Sequence, residues 1–232
     1  MGCAQSLLDI LITGLSKFDS KTESEDVDEL PELNIAMTAG YTLENVSRVI
    51  KNEVINPIFG FVIPKMTSSV WGDRYISMIA FASIVEGPNP ETIIPIIHDA
   101  FSDMMNMIND PIPKVRQTVA FSFYKLSEFM PQLIILEEPF LDQFVDHCLT
   151  HIGEHPTIST LLIASLKNLF IQSAKNAQSY RMNKYFSNIF TKLIETMYRD
   201  DINKCNELQN VSDAVNDITD SCDSYGLKDE LG

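Results

Sequence analysis

The chain has 232 residues, 45% of them hydrophobic, and a formal net charge of −15 at pH 7. It is long and apolar enough to bury a substantial core, and its nine Gly and eleven Pro are too few for low-complexity disorder. So acidic a surface is repelled by phosphate, which excludes a nucleic-acid binder and simple adsorption to anionic membranes and points to a basic protein partner.

Ala4 to Phe18 is amphipathic, with Leu7, Leu8, Ile10, Leu11, Ile12 and Leu15 on the buried side, and is predicted as the first helix. Asp19 to Glu32 breaks that pattern: Asp19, Glu23, Glu25, Asp26, Asp28, Glu29 and Glu32 stand against one Lys21, with no periodic apolar face. From composition alone this loop is either a solvated connection or an electrostatic hook that raises the local concentration of a basic partner. A second helix is predicted from Asn34 to Lys51, then a short one over Asn56 to Met66, which Gly60 is expected to bend.

Trp71 to Val85 is apolar around nearly its whole circumference and so needs neighbours on several sides; Gly87-Pro88 cannot continue it. Glu91 to Ile108 carries Ile93, Ile97, Ala100, Met104 and Ile108 at helical spacing. Asp110 to Met130 is the next helix, with the Asp110 carboxylate expected to cap it or to accept from Arg116, one rung of an Asp–Arg ladder between repeats. Leu136 to Ile152, Thr157 to Ser173 and Met182 to Tyr198 follow, with a polar linker over Lys175 to Arg181. The last helix starts at Leu208 and has a narrow apolar stripe of Leu208, Val211, Val215, Ile218 and Cys222. Its opposite face carries Asp213, Asp217 and Asp220, either a solvated face or an acidic row for a basic ligand.

His147 and His151 share one helical face near Cys148 and His155, but Gly153 and Pro156 end the helix before His155 and no carboxylate completes an HExxH motif, so no metal is expected. Nothing resembles a phosphate loop, a GxSxG elbow or a nucleophile–base pair, and neither an enzyme nor a cofactor is expected. Cys3, Cys148, Cys205 and Cys222 form no CxxC pair and are read as reduced thiols. No apolar run approaches the roughly 18 residues of a membrane span. Met1-Gly2-Cys3-Ala4-Gln5-Ser6 fits a myristoylation pattern but is not expected to carry a lipid, and Lys228-Asp229-Glu230-Leu231 is followed by Gly232, so it is no terminal retention signal.

The chain repeats itself. A slide of 42 residues lays Arg74 on Arg116, Ile79 on Phe121, Phe81 on Phe123, Ile84 on Leu126 and Glu86 on Glu128, and a slide of 43 lays Phe123 on Leu166 and Leu126 on Leu169. Both fall within the HEAT/armadillo period of about 40 to 47 residues. Pro57-Ile58, Pro95-Ile96 and Pro139-Phe140 are read as the openings of successive first helices. The fold expected is therefore all-α, an α-α superhelix or HEAT-repeat solenoid: a single array over 1–232 of about five repeats, approximately 4–51, 54–87, 91–130, 136–175 and 182–225.

The run Trp71…Arg74…Ala80-Phe81…Glu86-Gly87-Pro88-x-Pro90, followed by Asp110-Pro111-x-x-x-Val115-Arg116-x-Thr118-x-Ala120, resembles the middle of the importin-β (karyopherin-β) family of nuclear import receptors. The Asp and Arg are common to many HEAT repeats; the Glu-Gly-Pro-x-Pro turn is more specific, and the acidic loop lies one repeat upstream, as in the family. The resemblance runs through almost the whole chain and implies a fragment of a longer receptor, beginning at the acidic-loop repeat, counted eighth.

It further implies that the second helices line a concave acidic channel. There a basic segment of an importin-α-like adaptor or a cargo would bind and be displaced by Ran in its GTP state, in a protein shuttling between cytoplasm and nucleus. The implied partner-binding residues are Glu23, Glu25, Asp26, Asp28, Glu29 and Glu32 of the loop, and on inner helices Phe121 with Asp213, Asp217 and Asp220. The family's inner-helix tryptophans fall on Leu33, Phe121 and Ala164, of which only Phe121 is aromatic, and its FG-nucleoporin pockets lie mostly in earlier repeats. The alternative is a structural HEAT scaffold such as a phosphatase regulatory subunit, which would need neither the acidic loop nor the Glu86-Gly87-Pro88 turn.

Overall fold

The computed structural model describes residues 2–27, 35–175, 179–201 and 207–223, and within them every regular element is helical. The chain divides into two compact units, residues 1–129 and 130–232.

Among the described residues, the first unit holds three helix pairs. α1 (Gly2–Leu15) pairs with α2 (Ile35–Ile50), and α3 (Ile55–Met66) with α4 (Trp71–Ile84); α5 (Pro90–Asn106) is followed by α6 (Pro113–Phe129). The second helices stack on one another, α2 on α4 and α4 on α6. This arrangement explains why α4 is apolar all round: Ile76, Met78, Phe81 and Ile84 are buried among helices on several sides. Phe101 from α5 and Phe123 from α6 are likewise fully buried.

The stop after α4 is a packing device. Gly87 lies against the backbone of Ser47 on α2, where a Cβ would come within 2.4 Å of the Ser47 carbonyl, so only glycine fits. Ser47 donates its hydroxyl to the Ser83 carbonyl at 3.1 Å, and Glu86 lies 2.7 Å from Arg48. The Glu-Gly-Pro turn thus fastens the end of one second helix to the preceding one.

Between α2 and α3, Lys51 takes a left-handed φ of 52°, which ends α2 and starts a 3-10 turn over Lys51–Val54. Asn52 in that turn accepts the Asn89 amide at 2.8 Å and donates to Thr92 at 3.2 Å, tying the turn to the start of α5. One expectation needs correction here. α5 opens at Pro90, not at Pro95, which lies inside the helix and forgoes only the bond its N–H would have made in the first turns. Gly60 lies within helix α3, which runs unbroken from Ile55 to Met66, with nothing near its missing Cβ, so packing does not require a glycine there.

The second unit contains α7 (Pro131–Ile135), α8 (Glu138–His151), α9 (Pro156–Lys175), α10 (Ser179–Asn183), α11 (Phe186–Met197) and α12 (Glu207–Asp223). α8 and α11 pack beside their partners α9 and α12, and α12 lies along α9. Phe144, Leu162, Leu166 and Leu169 are fully buried, as is Cys148, whose thiol is pushed well above its usual pKa by burial. The stripe of α12 that is buried is Val211, Ala214 and Ile218; Leu208, expected inside, is exposed. The one-turn helices α7 and α10 stand where connections were expected. α7 forms because Met130 leaves helical geometry, Pro131 restarts it, and Leu133, Ile134 and Ile135 are buried.

Candidate functional site

The Asp–Arg rung differs in its partners from the expectation. The Asp110 carboxylate accepts two bonds from Arg74 of the preceding repeat, 2.5 Å from Nε and 2.9 Å from Nη2, and a third from the Ile112 amide at 2.9 Å. Arg116 donates instead to the Asp110 backbone carbonyl at 2.8 Å, as Arg74 does to the Ser68 carbonyl at 2.9 Å. Asp110 is already filled by the guanidinium one repeat back, the bidentate geometry a carboxylate and an arginine prefer.

The described part of the acidic loop is pinned to the second helices. Asp19 accepts the Lys21 amide at 3.0 Å and Ser24 the Asp26 amide at 3.1 Å, so the loop is a string of side-chain-stabilised turns. Phe18 packs edge-on to Trp71 at 5.4 Å and against Tyr75 at 4.8 Å between ring centroids. A Cβ on Gly72 would meet Ser20 at 2.7 Å and the Phe18 ring at 3.0 Å, so the glycine permits this docking. Buried Lys114, near the start of α6, donates to the Ser24 carbonyl at 3.0 Å across 90 residues. Glu23 is left half-buried, and Glu25 and Asp26 exposed. Tyr75 is pushed up to about 12, first by burial and then by the charge of Glu23. Asp28, Glu29, Glu32 and Leu33 lie outside the described residues.

Further along the same face, Phe121 is half-buried and stacked on Tyr124, with ring centroids 6.4 Å apart. It is not an open platform. The Lys125 ammonium lies 5.8 Å from the Phe121 ring centroid and 5.1 Å from that of Phe129, and donates to Glu44 of α2 at 2.8 Å. Glu44 also accepts from Arg48 at 2.8 Å. Arg48 is held above its usual pKa mainly by Glu86, against the opposing effect of burial. Glu128 bonds Tyr124, whose hydroxyl is raised to about 12, by burial first. Neither Lys114 nor Lys125 was singled out from the sequence, yet with Phe121 they fall at i, i+7 and i+11 of α6, one helical face.

In the second unit the acidic row is partly engaged. Asp213, exposed, accepts from Gln209 at 2.7 Å, and Asp217 lies 3.3 Å from Lys167 of α9; Asp220 is exposed and Ala164 half-buried on α9. An open groove of about 690 Å³ runs over α8, lined by Pro139, Asp142, Val145, Asp146, Leu149 and Tyr185 among others. Asp142 accepts from the Tyr185 hydroxyl and from Lys184, at 2.9 Å for the latter, and these bonds hold its carboxyl below the usual range. The histidines have separate tasks: His151 pairs with Glu154, and His155 accepts the Thr157 amide at 3.3 Å. Among the described residues no three His, Cys, Asp or Glu side chains are arranged to hold a metal, and no helix is long and apolar enough to cross a membrane.

Paired helices whose second members stack, carrying an acidic loop docked on their ends, define a HEAT-repeat solenoid. No protein-family model matches the chain. It is 28% identical over 174 residues to importin subunit beta-1 of Schizosaccharomyces pombe, covering 74% of this chain and 20% of that one. To importin subunit beta-1 of Saccharomyces cerevisiae it is 26% identical over 180 residues, 78% and 20% of the two chains. The chain thus spans about a fifth of the length of these curated relatives. In fold it is similar to Kap95p, the yeast importin-β, in a structure with RanGDP, with a TM-score of 0.83 at 22% identity over 95% of this chain and 25% of that one. Kap95 in complex with Nup1 gives 0.80 at 23% identity, over 94% and 24%. The chain is a HEAT-repeat array, similar over about three quarters of its length to importin subunit beta-1.

Proposed function

We propose that this chain is a ligand-binding stretch of a nuclear transport receptor. A basic segment of an importin-α-like adaptor, or of a cargo itself, lies along the second-helix face, and Ran in its GTP state displaces it. Glu23, Glu25, Asp26, Asp28, Glu29 and Glu32 draw the segment in; Phe121 contacts it, and Asp213, Asp217 and Asp220 offer a further acidic row. The observation that carries this reading is the pinned base of the loop. Phe18 between Trp71 and Tyr75, with Lys114 on the Ser24 carbonyl, holds carboxylates beside the second helices rather than leaving them to wander.

The likeness to importin subunit beta-1 supports the transport role. The structures of Kap95p with RanGDP and with Nup1 support Ran and a nucleoporin as partners, and with them passage between cytoplasm and nucleus. The work is binding and release, with no bond made or broken in a substrate and no cofactor.

The test is stopped-flow association of a fluorescent basic adaptor peptide. Exposed charges act chiefly on the on-rate. Replacing Glu23, Glu25, Asp26, Asp28 and Glu29 with Gln or Asn slows association and flattens its salt dependence, whereas Phe121→Ala speeds release. Unchanged association after the loop replacement returns the loop to a solvated connection between two helices.

A further inference from the structure

The second-helix face of the first unit already contains a recognised cation, and it belongs to the chain. Lys125 is 8% exposed; its ammonium sits on Glu44 at 2.8 Å and near the rings of Phe121 and Phe129 at 5.8 and 5.1 Å. A carboxylate at one side and two aromatic rings around it are what an amino-alkyl cation needs when stripped of water. To reach Glu44, Lys125 passes from α6 to α2, which both pack on α4.

We propose that Glu44, Phe121 and Phe129 form a cage for a ligand's lysine side chain, and that Lys125 is its resident occupant, which a basic ligand displaces. The inference rests on the reading that this face takes a basic segment. Exchange is chemically even, because one alkylammonium leaves as another enters. Glu44 is not orphaned in between, since Arg48 holds the same oxygen at 2.8 Å. The resident lysine therefore sets affinity: the ligand binds only the fraction of molecules in which the cage is open, and its apparent dissociation constant rises in proportion.

Two measurements test this on the full chain. Lys125→Ala empties the cage, so n-butylammonium, a stand-in for a lysine side chain, raises the melting temperature of that variant and not of the wild type, while n-butanol raises neither. A ligand bound by the folded state alone must stabilise it by mass action. A lysine-rich helical peptide binds Lys125→Ala roughly three- to tenfold tighter than wild type, on the scale of one cation–aromatic cage. Lys125→Gln, which keeps most of the side-chain volume without the charge, shifts affinity in the same direction.

Lys175→Ala, the same charge change at an exposed position, shifts affinity much less. Equal response to butylammonium and butanol, or a Lys125→Ala affinity no tighter than wild type or no different from Lys175→Ala, overturns the cage. If no variant binds the peptide, the basic-segment reading fails, and the butylammonium measurement still decides the cage by itself.

Discussion

Arg74 on α4 holds the Asp110 carboxylate with two nitrogens, 36 residues ahead in the sequence and at the threshold of the next second helix. Both side chains are largely buried, and Asp110 spends its remaining capacity on the Ile112 amide. Removing one partner of a buried pair leaves the other uncompensated. Asp110→Ala therefore costs about 3 kcal/mol of unfolding free energy. The double variant Arg74→Met, Asp110→Ala costs clearly less than the sum of the two single changes, measured by urea denaturation.

Gly87 and Gly60 are two glycines with opposite prospects. A methyl group at 87 enters the Ser47 backbone, which cannot yield without parting α2 from the turn after α4, so Gly87→Ala lowers the melting temperature by several degrees. At 60 the methyl meets open space inside a helix, and Gly60→Ala stabilises by about 0.5–1 kcal/mol. Thermal unfolding of the two variants decides the pair; a destabilised Gly60→Ala would show that α3 needs the glycine for a reason beyond local packing.

Tyr75 links the loop to pH. Its pKa is raised from 10.0 to about 12, so the folded state keeps the proton after the unfolded chain has lost it. That contribution is complete below pH 10 and disappears as the pH rises from 10 towards 12. Because Glu23 is the second cause after burial, Glu23→Gln lowers the ionisation point of Tyr75, read from tyrosinate absorbance, without moving the melting temperature at neutral pH. An unchanged titration places Glu23 away from the ring in solution.

Asp73 works in the opposite direction. A hydrogen bond from Lys65 holds its carboxyl below 3.8, helped by Ser68 and opposed by burial. The stabilisation is complete above the unfolded value and fades as pH falls through the lower folded one. Lys65→Met removes it, so the urea midpoint of the variant falls less steeply than that of the wild type between about pH 4.5 and 3. Parallel slopes would show that Lys65 leaves Asp73 unpaired in solution.

The helices were legible because each buries one apolar stripe and breaks at Gly, Pro or a charge run; α4 was plainest, since nothing but packing on several sides explains Met78, Phe81 and Ile84 together. The period of 42 gave the repeat, and Arg74 and Arg116 do make the same bond to the carbonyls at 68 and 110. What could not be read were destinations. Asp110 was matched to Arg116 by nearness in sequence, whereas stacking brings Arg74 closer. Pro95 resembled an opening because a proline reports only its own φ and missing donor, and Pro90 had already supplied both. In the acidic loop the sign of the charge was evident, while its anchor depended on Phe18, an apolar residue that ends one helix pattern and docks on another.

Lys114 and Lys125 on α6 reach Ser24, in the loop between α1 and α2, and Glu44 of α2, past the helix pair that lies between. Repeat arrays ordinarily divide their stability into intrinsic and nearest-neighbour contributions, so that ends can fray while the middle persists. Here the third pair is coupled to the first as well as to the second, and fraying from either side must break ties that skip a neighbour. Residues 1–129 should consequently melt as one cooperative block, with amide exchange at α2 slowed by side chains that arrive some eighty residues later.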